Sequence, residues 1–215
     1  MDEDISIIST ESRIDKVKKY LINSRKQLTI LIITILLILI GFFGYSKYLN
    51  EKRLKLSELY NTVTFNFISG QNQNTKDQLI YIINAKDSTY SPLALYFVIE
   101  NDIISSKKQI NEYFDVIINE VNLEKEIKYL IIYKKALFNS ENKNENELLE
   151  IINPLLKSNS IWKSHALYLM AEYYYANEQF QKAKEFYTQI INLEKVNNKI
   201  KIESQKKLNR NLSEK

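Results

Sequence analysis

The chain has 215 residues, 45% of them hydrophobic, with a formal net charge of +4, one His, three Gly, two Pro and no Cys. That length suits one domain, or one domain with an appendage. So few turn formers exclude a many-stranded sandwich or barrel, the scattered Gly41, Gly44 and Gly70 exclude a phosphate-cradling loop, and the lack of Cys excludes disulfide frameworks, thiolate metal sites and a cysteine nucleophile.

Residues 1–27 read as a charged cytoplasmic segment. It opens on Met1-Asp2-Glu3-Asp4 and then turns basic, with Glu11-Ser12-Arg13-Ile14-Asp15-Lys16 predicted as a short charged helix at the membrane surface. Residues 28–46 read as a transmembrane helix. The uncharged run Leu28 to Tyr45 is roughly 27 Å long as a helix, close to the hydrocarbon thickness of a bilayer. A cleavable signal peptide would be shorter and end on small residues, whereas this run ends on Gly44-Tyr45-Ser46-Lys47-Tyr48, so an uncleaved signal anchor is expected. Arg13, Lys16, Lys18, Lys19, Arg25 and Lys26 precede it and Lys47, Lys52, Arg53 and Lys55 follow it, a bias that places the N-terminus in the cytoplasm and the C-terminal part outside. Gly41 and Gly44 lie three apart rather than four, so they do not make a GxxxG dimer face.

Residues 47–215 lack the alternation and the Gly or Pro boundaries of strands, which predicts an all-α fold. Polar clusters punctuate it at 70–74, 86–89, 105–108, 139–146 and 157–160, and Ser91-Pro92 reads as a helix start with a hydroxyl cap. Ile-Ile-Asn recurs at 82–84, 117–119, 151–153 and 190–192, spacings of 35, 34 and 39. Ala94-Leu95-Tyr96 is matched by Ala166-Leu167-Tyr168, and Glu112-Tyr113-Phe114 by Glu185-Phe186-Tyr187. A period near 35 residues, two helices long, predicts a helical-hairpin solenoid of the tetratricopeptide (TPR) kind, with hairpins near 50–85, 90–120, 123–157 and 160–193 and a Lys-rich capping helix near 198–211. The last hairpin fits best. Ala171 and Ala183 take the small positions that let two helices approach, and Tyr174 and Tyr187 take the aromatic ones, while Glu178 stands where the pattern has its turn Gly.

Residues with catalytic chemistry are sparse. His165 has only Glu172 near it along the helix and no second catalytic partner, so the expectation is no enzyme activity, no cofactor, no metal and no small-molecule substrate. The basic stretch Lys195, Lys199, Lys201, Lys206, Lys207 and Arg210 reads as a solvated helix face and not as a nucleic-acid site. A protein-binding groove is the candidate site. His165, Tyr168, Glu172 and Tyr175 share one helix face, Tyr96 and Glu100 repeat the Tyr-x-x-x-Glu spacing, and Tyr129 and Tyr133 fall in the comparable part of the hairpin between them. Tyr and Glu along a groove suit peptide segments; the alternative is that these Tyr pack between hairpins while the Glu faces water.

The arrangement resembles the YfgM-like family, single-pass inner-membrane proteins with a periplasmic TPR-like domain that include an ancillary subunit of the SecYEG translocon. The resemblance rests on Glu11-Ser12-Arg13-Ile14-Asp15-Lys16 before the anchor, Gly41-Phe42-Phe43-Gly44-Tyr45 at its end, Asn159-Ser160-Ile161-Trp162, and the hairpin Ala171 to Ile191; Ile161 stands where the family often has Pro. It implies a non-enzymatic scaffold of the bacterial inner membrane whose partners are translocon subunits, exported clients or periplasmic chaperones. An envelope-assembly or cell-division adaptor of the same architecture is the alternative.

Overall fold

The computed structural model describes Lys18, Tyr20, Ile22 and residues 24–71 and 73–212. The expected helix at Glu11–Lys16 lies outside the described residues, as does most of the segment 1–27. Among the described residues helix is the only regular structure: α1 (Arg25–Ile68), α2 (Thr75–Asn84), α3 (Tyr90–Glu100), α4 (Lys107–Glu120), α5 (Lys125–Asn139), α6 (Glu145–Leu156), α7 (Trp162–Ala176), α8 (Phe180–Ile191) and α9 (Asn198–Asn211).

The chain divides into two compact units, residues 1–55 and 56–215. The apolar run does not end its helix, because no Gly or Pro follows Gly44 until Gly70; α1 is 44 residues long. Its most apolar 18-residue window has a mean hydropathy of 2.7 and is 0% buried. Thr29 and Thr34 inside the run return their hydroxyls to the carbonyls of Arg25 and Ile30, each at 2.9 Å, so neither hydroxyl needs a partner from the surroundings.

In the second unit each helix from α2 through α9 packs on its neighbour in sequence, and α5 also packs on α7, whereas the end of α1 and α2, expected to pair as the hairpin near 50–85, do not pack closely on each other; α2 pairs with α3 instead. Two hydrophobic clusters result. The first joins Leu56 and Val63 of α1 to α2, α3 and α4, and the second joins α6, α7 and α8. Helix α5 is the shared wall: Ile131 belongs to the first cluster and Ile132 to the second, as adjacent residues on a helix must when both sides are covered. The four Ile-Ile-Asn copies fall near the C-terminal ends of α2, α4, α6 and α8, every second helix, and each copy contributes a fully buried Ile: Ile82, Ile117, Ile152 and Ile190. Ala171 and Ala183 are also fully buried where α7 meets α8, with Tyr174 and Tyr187 packed beside them.

Helix ends follow local chemistry. Ser106 accepts from Gln109 N, Asn144 and Glu147 form a capping box, and Asn197 accepts from Lys199 N and Ile200 N. The start of α3 differs from the expectation at Ser91. The helix begins at Tyr90, and the Asp87 carboxylate, not a serine, accepts from Thr89 N and Tyr90 N, each at 2.8 Å. A carboxylate has the lone pairs for both donors. Ser91 is buried instead and donates to the Ile82 carbonyl at 2.8 Å, which fastens α3 to α2.

Candidate protein-binding surface

The eight residues read as a groove are all placed, and they form three separate groups. Tyr133 on α5 stacks on Trp162 of α7, with ring centroids 5.8 Å apart, and meets His165 at 5.6 Å; Trp162 and His165 lie 4.8 Å apart. This aromatic cluster fills the contact between α5 and α7. Burial there holds the His165 imidazole below its ordinary value, opposed by the Ile161 carbonyl 3.4 Å from Nδ1. Tyr129, one turn before Tyr133, is half-buried against the second core cluster, with the Lys125 ammonium 5.8 Å from its ring.

The second group is Tyr168, Glu172 and Tyr175. The Tyr187 hydroxyl of α8 donates to Glu172 Oε1 at 2.5 Å, and Lys207 of α9 donates to Glu172 Oε2 at 2.9 Å. The same ammonium lies 4.8 Å from the Tyr175 ring centroid, and Tyr168 meets Tyr187 edge-on at 5.9 Å. Burial, then the Glu172 charge, pushes the Tyr168 phenol up to about 12. Burial first, and then the hydrogen bond to Glu172, also drives the Tyr187 phenol upward. One carboxylate thus holds α7, α8 and α9 together, and the chain's own last helix takes the position in which a groove occupant was expected.

The third group stays open. Tyr96 and Glu100 of α3, Phe114 of α4, and Lys134 and Leu137 of α5 line a cavity of about 200 Å³. Leu137 is 44% exposed although it is apolar. The Lys134 ammonium lies 5.8 Å from the Tyr96 ring centroid. Burial pushes the Tyr96 phenol up to about 12, and among the described residues its hydroxyl is the buried side-chain polar atom that lacks a hydrogen-bond partner.

A larger cleft, about 670 Å³, opens between α4, α5 and α6. Part of its polar lining is engaged internally. Lys135 pairs with Asp115 at 2.5 Å and Lys143 with Glu147 at 2.9 Å. On its floor Asn111 and Asn139 exchange amide hydrogen bonds of 3.0 and 2.7 Å. Among the described residues no three His, Cys, Asp or Glu side chains converge as a metal site would need.

Reading the sequence identified Tyr96 and Glu100 but missed Lys134 and Leu137, which sit beside them only because α5 packs against the α3–α4 hairpin. Lys207 was missed for a related reason: in the sequence it looks like one more lysine of a solvated face, and only the packing of α9 sets it against Glu172. Comparison with known proteins gives no match to a family model, no significantly similar curated protein and no significantly similar solved structure.

Proposed function

We propose that this chain is a non-enzymatic scaffold held at the bacterial inner membrane by one span, with a TPR-like array of helical hairpins on the periplasmic side that binds segments of other proteins. The observation that carries the reading is the wholly uncovered apolar run of α1 in the same chain as a helical unit whose repeated Ile-Ile-Asn falls on every second helix. An uncovered run of that length has a bilayer as its natural surrounding, and hairpin arrays serve as binding surfaces. Anchoring raises the local concentration of the array at the membrane, which makes weak individual contacts useful. The resemblance in the anchor and in the last hairpin favours an ancillary role at the Sec translocon, passing exported polypeptides to periplasmic chaperones.

The test is in-cell photocrosslinking from position 100, where Glu100 is exposed, followed by identification of the captured proteins. Translocon subunits, exported polypeptides or periplasmic chaperones are expected. Capture of cytosolic proteins alone would reverse the orientation and remove the translocon role. The chain has no Cys, so Gln205→Cys supplies a single reporter of topology. A membrane-impermeant maleimide should label it once the outer face of the inner membrane is accessible.

A further inference from the structure

We infer that the outward face of α9 docks on acidic phospholipid headgroups of the bilayer that holds the chain. The inference rests on the membrane-span reading and adds to it the surface that the second unit turns toward the lipid.

Three observations support it. The first is a segregation of charge. Between residues 56 and 197 acidic side chains outnumber basic ones by 18 to 14, whereas α9 carries five basic side chains and one acidic. An anionic surface therefore repels the body of the unit and attracts its last helix. The second is where those charges lie. The fully buried Ser204 marks the inner side of α9, which packs on α7 and α8, and Lys207 reaches Glu172 of α7. Lys199, Ile202, Lys206 and Arg210, spaced i, i+3, i+7 and i+11, form a stripe on the far side, and all four are exposed. Lys206 pairs with Glu203 at 2.8 Å, but Lys199 and Arg210 make no ion pair among the described residues. Ile202 keeps 55% of its surface exposed in the middle of the stripe. Cations around an apolar residue are the pattern of a helix lying in the membrane interface, where ammonium and guanidinium groups meet phosphates and the alkyl group enters the acyl boundary. The third is enforced nearness. Ten residues, 46–55, separate the apolar run from the second unit, and even fully extended they reach about 35 Å. At that range a contact too weak to hold a free protein is enough. An acidic soluble partner would meet the same stripe without that advantage.

The test uses the full chain at one copy per lipid nanodisc, in discs of phosphatidylcholine alone or with phosphatidylglycerol added. The chain has no Cys, so Asn209→Cys, exposed at the edge of the stripe, takes a single fluorophore that nitroxide-headgroup lipid quenches on contact. Phosphatidylglycerol should raise the quenching several-fold. Salt at about 1 M, where the screening length falls to about 3 Å, should remove most of that gain. Lys199→Glu with Arg210→Glu, which breaks no ion pair, should also remove it while the thermal midpoint holds. The neutral pair Lys199→Gln with Arg210→Gln should lower it in the same direction without adding repulsion. The docking is overturned if quenching is the same in both lipids, if it survives both pairs of substitutions, or if it appears only with two chains in one disc, which would make a second copy the occupant. A parent chain that does not co-elute with the discs would overturn the span and the docking together. A chain that co-elutes but shows no lipid-dependent quenching leaves the span standing and removes the docking alone.

Discussion

Glu178 turns the chain from α7 into α8 with φ of +58°, and Gln179 N closes the turn on the Tyr174 carbonyl at 2.9 Å. A left-handed residue at that point is what this closure requires, and a glutamate bears a Cβ clash there that glycine does not. Glu178→Gly should therefore stabilise the folded unit by about 0.5–1 kcal/mol, after allowing for the added freedom of glycine in the unfolded chain, as read from urea unfolding of the full chain in detergent. Asp102 closes α3 in the same way, with φ of +50° and Ile103 N on the Val98 carbonyl. His165 makes a second prediction at this scale. Its folded value lies below the ordinary 6.5 because burial disfavours the imidazolium. The unfolded chain therefore binds the proton more readily, and the contribution of His165, intact above pH 6.5, is lost progressively as the pH falls toward the folded value. Between pH 7.5 and 5.5 the parent should lose more stability than His165→Gln, and equal losses would contradict the assignment.

The last hairpin is closed by one carboxylate, so the grip on α9 is open to a single conservative change. Glu172→Gln keeps an oxygen for the Tyr187 hydroxyl but removes the charge that holds Lys207. Amides of α9 should then exchange with solvent several times faster while those of α5 keep their protection, a pattern that hydrogen-exchange mass spectrometry reads directly. Equal protection of α9 in both proteins would mean that its apolar contacts, including Leu208, hold it without the ion pair. The order and type of these elements were legible in the sequence, because apolar periodicity and polar punctuation are local signals. Ile-Ile-Asn marked every second helix, and the capping helix was expected at 198–211, where α9 lies. The candidate surface was only partly legible. Tyr96 and Glu100 were found by their spacing, yet whether a half-buried tyrosine faces a cavity or a neighbouring helix depends on the crossing of two helices far apart in sequence. Tyr133 and Tyr96 look alike along the chain, and the difference is that Trp162 stacks on the first while the second borders a cavity between α3, α4 and α5.

The two compact units solve different solvation problems. In the first, the apolar stretch of α1 is uncovered by protein among the described residues and is long and apolar enough to cross a membrane. Replacing Leu36 and Leu37 by Lys places two charges near the middle of the run, at about 2.5–3.5 kcal/mol each on insertion scales. The parent should stay with the membrane in alkaline carbonate washes and the double variant should be released. The second unit carries an internal key. Asn111 of α4 and the buried Asn139 of α5 satisfy each other across 28 positions of sequence, and Asn139 also reaches the Lys135 carbonyl. A copied hairpin spliced between residues 120 and 125 would separate these amides and strand Asn139 without its mate. The α4–α5 seam is therefore private to these two helices, and an insertion there would break a pairing that neither amide could replace from its own helix.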